Sequence, residues 1–206
     1  ENQSATDVAN DIISTYTSGF TARYVEANLA AISTTFTNVR PSTALARIAD
    51  QAGIPLIVDN TTATPYLCNP IAHGATLVVH SATKYLTGNG TVTGGVVVDS
   101  GKFDWSASDK FPSLSQPEPA YHGLTFHPTL GAMAYTFHSI AIGLRDLGMT
   151  MNPQGAHYTL MGIETLSLRM QRHVENAQKV AEWLEKDPRV ATVTYAGLKS
   201  SPYHDR

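Results

Sequence analysis

Apolar and polar positions along this chain fall into blocks of differing period, and each change of period marks an element. From Pro41 to Ala52, the residues Leu45, Ile48, Ala49 and Ala52 lie on one stripe at helical spacing, and Gly53 follows as a stop signal. Ile54-Pro55-Leu56-Ile57-Val58 and Ala75-Thr76-Leu77-Val78-Val79 are short unbroken apolar runs, as expected of strands buried on both faces of a parallel sheet. The connection between them, 61–74, holds Pro65 and Pro70 and leaves room for a short helix near Ile71. A third apolar run, Val96-Val97-Val98, ends at Asp99 after a loop flanked by Gly88-Asn89-Gly90 and Gly94-Gly95. Helix and strand patterns that alternate in this way predict an α/β sheet flanked by helices, not a sandwich or a bundle.

Beyond Asp99 the pattern loosens. Phe103 to Thr129 reads as one long loop, with Pro112, Pro117, Pro119 and Pro128 among aromatic residues; a loop of that length is usually functional or packed on a partner. Leu130 to Leu147 reads as a helix. Ile163, Leu166, Met170, Val174, Ala177, Ala181 and Leu184 then recur at steps of three or four, which places them on one face of a long helix ending near Pro188. Val190 to Tyr195 alternates as a strand. A boundary at 148–155 divides the chain into a partial large domain, 1–150, and a bridging helix with the start of a second, smaller α/β domain, 151–206. No internal repeat or low-complexity tract interrupts this plan.

Composition narrows the class without naming it. The 206 residues are 42% hydrophobic and 15% charged, enough to bury a substantial core. A net charge of −3 argues against a nucleic-acid or anionic-membrane partner. One cysteine, Cys68, excludes an internal disulfide and reads as core behind Tyr66-Leu67; no apolar run has the length of a membrane span, and no signal-peptide pattern opens the chain. The expected compartment is the cytoplasm. His122, His127 and His138 have spacings of five and eleven, which put no pair on one helix face, and no metal site is expected. The glycines from Gly88 to Gly95 fit neither a phosphate loop ending in Gly-Lys-Ser/Thr nor G-x-G-x-x-G, and read as a flexible turn.

The candidate chemistry lies at two strand ends. Asp59 closes one apolar run, and Ser81-Ala82-Thr83-Lys84 follows the next, the lysine falling 25 positions after the aspartate. A lysine or an S-x-T-K run by itself is ordinary solvated loop. Here both polar groups fall at or just after the C-terminal ends of predicted sheet strands, the edge at which open α/β sheets bind ligands. A lysine amine forms a Schiff base with an aldehyde, neighbouring hydroxyls donate to a phosphate, and an aspartate holds a pyridine nitrogen protonated; together these suit pyridoxal 5′-phosphate (PLP). His80, at the strand end between them, reads as satisfied by backbone and not as catalytic.

Asp59-Asn60-Thr61, Ala63-Thr64-Pro65-Tyr66-Leu67-Cys68 and Val79-His80-Ser81-Ala82-Thr83-Lys84-Tyr85 resemble the signature of the Cys/Met-metabolism family of fold-type I PLP enzymes. Within it, Gly101-Lys102-Phe103-Asp104-Trp105, Pro119-Ala120-Tyr121-His122-Gly123-Leu124 and Gly162-Ile163-Glu164-Thr165-Leu166-Ser167-Leu168-Arg169-Met170 are similar to the O-acetylhomoserine sulfhydrylase branch. The resemblance implies a mostly parallel sheet and a homo-oligomer built as a dimer of dimers. Its implied reaction is γ-replacement on O-acetyl-L-homoserine by sulfide or a thiol, giving homocysteine or methionine plus acetate. A methionine γ-lyase or cystathionine γ-synthase reaction is the alternative, and a non-catalytic fragment or scaffold is the reading of another class.

Residue by residue, the resemblance makes Lys84 the Schiff-base lysine and proton shuttle, Asp59 the pyridinium partner, and Ser81 and Thr83 phosphate donors. Gln3 falls at a helix start suited to the phosphate, with Asn2 where the family has glycine, and Tyr16 is the candidate for stacking on the cofactor ring. Thr34 stands where the family has asparagine, and 17–36 is compressed relative to the pattern. An upstream tyrosine and arginine for the phosphate and a downstream arginine for the substrate carboxylate have no counterpart here. The expectation for this stretch acting alone is therefore weak or absent activity.

Overall fold

The computed structural model describes residues 41–204. Gln3, Tyr16 and Thr34 lie outside them. Helix α1 (Pro41–Ala52) has the predicted bounds and buries Ala44, Ile48 and Ala49. Gly53, at φ +60°, ends it: Gly53 N–H donates to Asp50 O at 3.0 Å and Ile54 N–H to Ala49 O at 3.0 Å, the paired bonds of a left-handed helix stop. Lys110 Nζ donates to Ala52 O at 2.6 Å, a cation placed at the negative end of the helix.

Three strands form one sheet in the order β1 (Ile57–Asp59), β2 (Leu77–Ser81), β3 (Gly95–Asp99). β1 and β2 run parallel with Asp59 opposite Val79, so the C-terminal ends of both strands share one edge of the sheet. β3 is antiparallel to β2, with Ser81 opposite Gly95. Among the described strands, only β2, in the centre, is covered on both faces, as Leu77 at 2% and Val78 at 3% exposure show; Ile57 and Val97 remain more than half exposed. The apolar runs therefore mark strands correctly and mark double-sided burial for the middle one alone.

The 61–74 connection contains a short helix, α2 (Thr64–Leu67), and a 3-10 turn at Pro70–His73. Tyr66 and Leu67 are about half exposed and Cys68 is half-buried, which corrects the expectation of a core cysteine behind buried neighbours. The 103–129 segment is not a loose loop. It contains α3 (Pro112–Ser115), a 3-10 turn at Pro119–Tyr121 and the start of α4 (Phe126–Leu130). Its Trp105, Leu114 and Phe126 join Leu77 and Ala134 in one buried cluster, with Trp105 stacked on Tyr135 at 5.3 Å between ring centroids.

The helix predicted for 130–147 is present from Ala134 to Asp146, starting later than expected and widening to a π-type helix in its second half. A 3-10 turn at Gly131–Met133 follows α4, then α5 (Ala134–His138), then the wider stretch at Ser139–Asp146. Gly131 at φ +53° breaks the run between α4 and α5. The long amphipathic helix also divides, into α6 (Pro153–Glu164) and α7 (Leu166–Lys186), at Thr165. Asn152 caps α6 by accepting from Gly155 N–H at 2.7 Å. Of the predicted stripe, Leu166, Met170 and Ala181 are buried, whereas Ile163 and Val174 are about 40% exposed. Val190 to Tyr195 is irregular: alternation makes a strand only where a neighbour supplies a ladder, and none does so among the described residues.

Candidate active site

The parallel pairing of β1 and β2 brings Asp59 and Ser81 to one edge of the sheet. Ser81 N–H donates to Thr61 Oγ1 at 2.7 Å, and Thr61 N–H donates to Asp59 Oδ1 at 2.9 Å. Because Thr61 Oγ1 accepts from Ser81, its own proton is left for Asp59. The side-chain and backbone bonds from Thr61 hold the Asp59 carboxyl below its ordinary value, with burial opposing them, so Asp59 stays an anion at neutral pH.

His80 lies beside Asp59 with 6% of its surface exposed. Burial pushes its imidazole down, against a bond to the Asn60 backbone and the Asp59 charge, and the ring stays neutral at neutral pH. Its Nδ1 is buried without a hydrogen-bond partner among the described residues, so the reading of His80 as satisfied by backbone does not hold for that atom.

Lys84 follows β2 in a wide turn, Ala82–Leu86, and breaks it with φ −90° and ψ −117°. On its N-terminal side, Thr83 Oγ1 accepts from Gly94 N–H at 3.0 Å and lies 3.3 Å from Gly94 O. The glycine-rich segment is thus tied to the turn through Thr83, and the Thr83 hydroxyl is already engaged there. On the C-terminal side, Gly88 N–H donates to Lys84 O at 2.9 Å and the Thr87 hydroxyl meets that of Thr159 at 3.0 Å, both buried. Lys84 itself is exposed and opens on a cavity of about 540 Å³, walled by Thr61, Thr62, Thr83, Tyr85 and His173. That volume lies within the ordinary range for cofactor and small-ligand sites.

Four residues that strand-end reasoning did not single out shape this site. Thr61 joins Asp59 to Ser81, as above. Asn60 is buried and its amide donates to Thr64 O and Cys68 O, each at 3.0 Å, pinning the loop that leaves β1. It holds Thr64, fully buried, at φ +61°, a backbone state that strains a β-branched residue. His173 meets Tyr85 edge-on at 5.3 Å, and Arg169 reaches the carbonyl of Leu86. The available signal for Arg169 was a cation on the same side of the helix as Leu166 and Met170, where a solvated charge is not expected.

The donor set has the chemistry PLP requires: an exposed amine and the Thr83 hydroxyl on the cavity, with an anion at Asp59 and a hydroxyl at Ser81 on the adjoining strand edge, outside the cavity lining. Among the described residues no group of three or more His, Cys, Asp or Glu side chains could hold a metal ion. His127 Nε2 instead pairs with Asp104 at 2.9 Å, and His138 packs edge-on against Phe126. No helix among the described residues is long and apolar enough to cross a membrane.

Comparison with known proteins gives a consistent result. The family described as Cys/Met metabolism PLP-dependent enzyme matches residues 6–206. A homocysteine synthase of Schizosaccharomyces pombe is 47% identical over 200 residues, 96% of this chain and 46% of that protein. An O-acetyl-L-homoserine sulfhydrylase of Thermus thermophilus is 45% identical over 170 residues, 82% of this chain and 40% of that protein. A crystal structure described as an O-acetylhomoserine (thiol)-lyase of Campylobacter jejuni, containing N′-pyridoxyl-lysine-5′-monophosphate, superposes with a TM-score of 0.75 at 38% identity, covering 79% of this chain and 40% of that one. The chain thus spans less than half the length of these relatives.

Proposed function

Since the chain belongs to the Cys/Met metabolism family of PLP-dependent enzymes, we propose that it forms the lysine-bearing part of a site for γ-replacement on O-acetyl-L-homoserine by sulfide or a thiol. The observation that carries this reading is Lys84 opening on a cavity at the same sheet edge where Thr61 holds Asp59 ionised. The activities for which the relatives are named, homocysteine synthase and O-acetyl-L-homoserine sulfhydrylase, support the choice of substrate and nucleophile.

Bound PLP supplies an aldehyde for covalent attachment and a ring that accepts electron density from the substrate. The chain's own residues do the rest. Lys84 would be the residue that holds the aldehyde, and its free amine would take and return the substrate's α-proton. Asp59, ionised at neutral pH, would be the partner for the pyridine nitrogen and would keep its proton in place. Ser81 would donate to the phosphate, and Thr83 would do so once its hydroxyl proton turned away from Gly94 O.

Two measurements test the reading. Borohydride reduction of the cofactor-loaded protein followed by peptide mapping should place the label on Lys84, and Lys84→Ala should lose the violet-edge absorbance; label elsewhere would sink the assignment. Acetate release from O-acetyl-L-homoserine should require sulfide and yield homocysteine. Sulfide-independent ketoacid formation would identify a γ-lyase instead.

A further inference from the structure

Lys84 occupies a conformation outside the helical region, with φ −90° and ψ −117°, and a single residue stays there only when its surroundings fix it. The N-terminal side of the turn is fixed by Thr83 and Gly94, within the same sheet region. The C-terminal side is fixed from a different part of the chain. Arg169 on α7 donates through Nη2 to Gly162 O at 2.7 Å, through Nε to Thr165 Oγ1 at 3.0 Å, and reaches Leu86 O through Nη2 at 3.5 Å, across 83 residues of sequence.

Two glycines let this contact form. Gly88, at φ +80°, lies so close to the Arg169 guanidinium that a Cβ there would come within 2.5 Å of it and displace the side chain from its present position. A Cβ on Gly162 would collide with the carbonyl oxygens of Leu86 and Thr87, so α6 meets the turn backbone to backbone. On α7, Arg169, Met170 and His173 lie at steps that share a face with Leu166, and that face meets Leu86, Gly88 and Tyr85 of the turn.

We propose that Arg169 is a positioning residue for Lys84: its guanidinium ties the α6–α7 junction to the lysine-bearing turn and sets where the amine points. This rests on Lys84 being the cofactor lysine. A planar guanidinium with several donors in a fixed fork can hold a carbonyl and a hydroxyl of the junction while reaching the turn; a lysine at 169 retains the charge but has one donor atom. Losing the strut leaves Lys84 present and chemically intact but disperses its orientation, and misorientation on this scale costs an intramolecular step about ten- to a hundredfold.

The test is the rate at which Lys84 bonds added PLP in the full chain stripped of cofactor, followed by visible absorbance over a range of PLP concentrations. In Arg169→Met the limiting first-order rate should fall at least about tenfold while the half-saturating PLP concentration stays unchanged, because orientation and not phosphate binding is altered. Arg169→Lys should recover part of the rate, and Thr165→Val, which removes the Nε acceptor and the Thr165 hydroxyl's bond to Gly162 O but leaves the guanidinium, should lose the least. If Arg169→Met does not fold, Arg169→Lys and Thr165→Val decide by the same readout: slowed limiting rates in both support the role, and wild-type rates in both overturn it. A folded Arg169→Met with the wild-type limiting rate also overturns it. Borohydride mapping of the wild type separates the two levels. Label absent from Lys84 removes the underlying reading and the inference with it, whereas label at Lys84 with unchanged Arg169→Met kinetics removes the inference alone.

Discussion

Thr61 is the residue on which Asp59 and Ser81 both depend, since one hydroxyl accepts from the second strand end and donates to the first. Thr61→Val should therefore orphan the half-buried Ser81 N–H and remove a donor from Asp59, at a cost of about 1–3 kcal/mol. The pH dependence has a definite sign. A carboxyl held below its ordinary value stabilises the fold fully above the unfolded value, about 3.9, and that contribution disappears as pH falls through the folded value. The gap in melting temperature between wild type and Thr61→Val should thus be constant near neutrality and narrow below about pH 4, leaving the part due to Ser81. A gap independent of pH down to strong acid would show that Thr61 does not act on Asp59. Asp59, Ser81 and Lys84 were legible in the sequence because their chemistry is local, polar groups placed at the ends of apolar runs. Thr61 was hidden because a threonine two positions past a strand looks the same whether its hydroxyl faces water or two partners.

Helix α6 meets the lysine-bearing turn along a seam that includes one buried polar pair, Thr87 and Thr159, at 2% and 5% exposure. Thr159→Val should cost about 1–3 kcal/mol in urea unfolding, because the Thr87 hydroxyl is then buried without its partner. The double variant Thr87→Val with Thr159→Val should cost less than the sum of the two single changes, since no hydroxyl is left stranded. Strict additivity would mean that the pair does not act as a unit. Elements with local stop signals were legible: α1 ends at Gly53 as its sequence predicts. The break at Thr165 was not, because the apolar stripe of Ile163, Leu166 and Met170 runs through it at unbroken helical spacing. The break at Gly131, at φ +53°, rests on a glycine that helical spacing alone does not flag. Pairing between α6 and the turn joins residues 72 positions apart, a separation that no local pattern reports.

Across the whole molecule, the aromatic segment from Phe103 onward decides whether the site stands on a core or beside a mobile cover. Trp105 is 5% exposed, lies edge-on to Phe103 and Phe111, stacks on Tyr135, and shares its cluster with Leu77 at the start of β2. β2 in turn ends at Ser81, immediately before the lysine turn. A long loop rich in proline and aromatics is ambiguous in sequence, because both a lid and a folded core segment carry that composition; burial separates the two. Because the cluster supports the central strand from below, Trp105→Ala should destabilise by about 3–5 kcal/mol and should do so globally. Hydrogen exchange should show amides of β2 and of the 103–129 segment losing protection together, as members of one cooperative unit. Opening of the segment with β2 still protected would instead make it an independent cover, and the position of Lys84 would then owe nothing to the aromatic core.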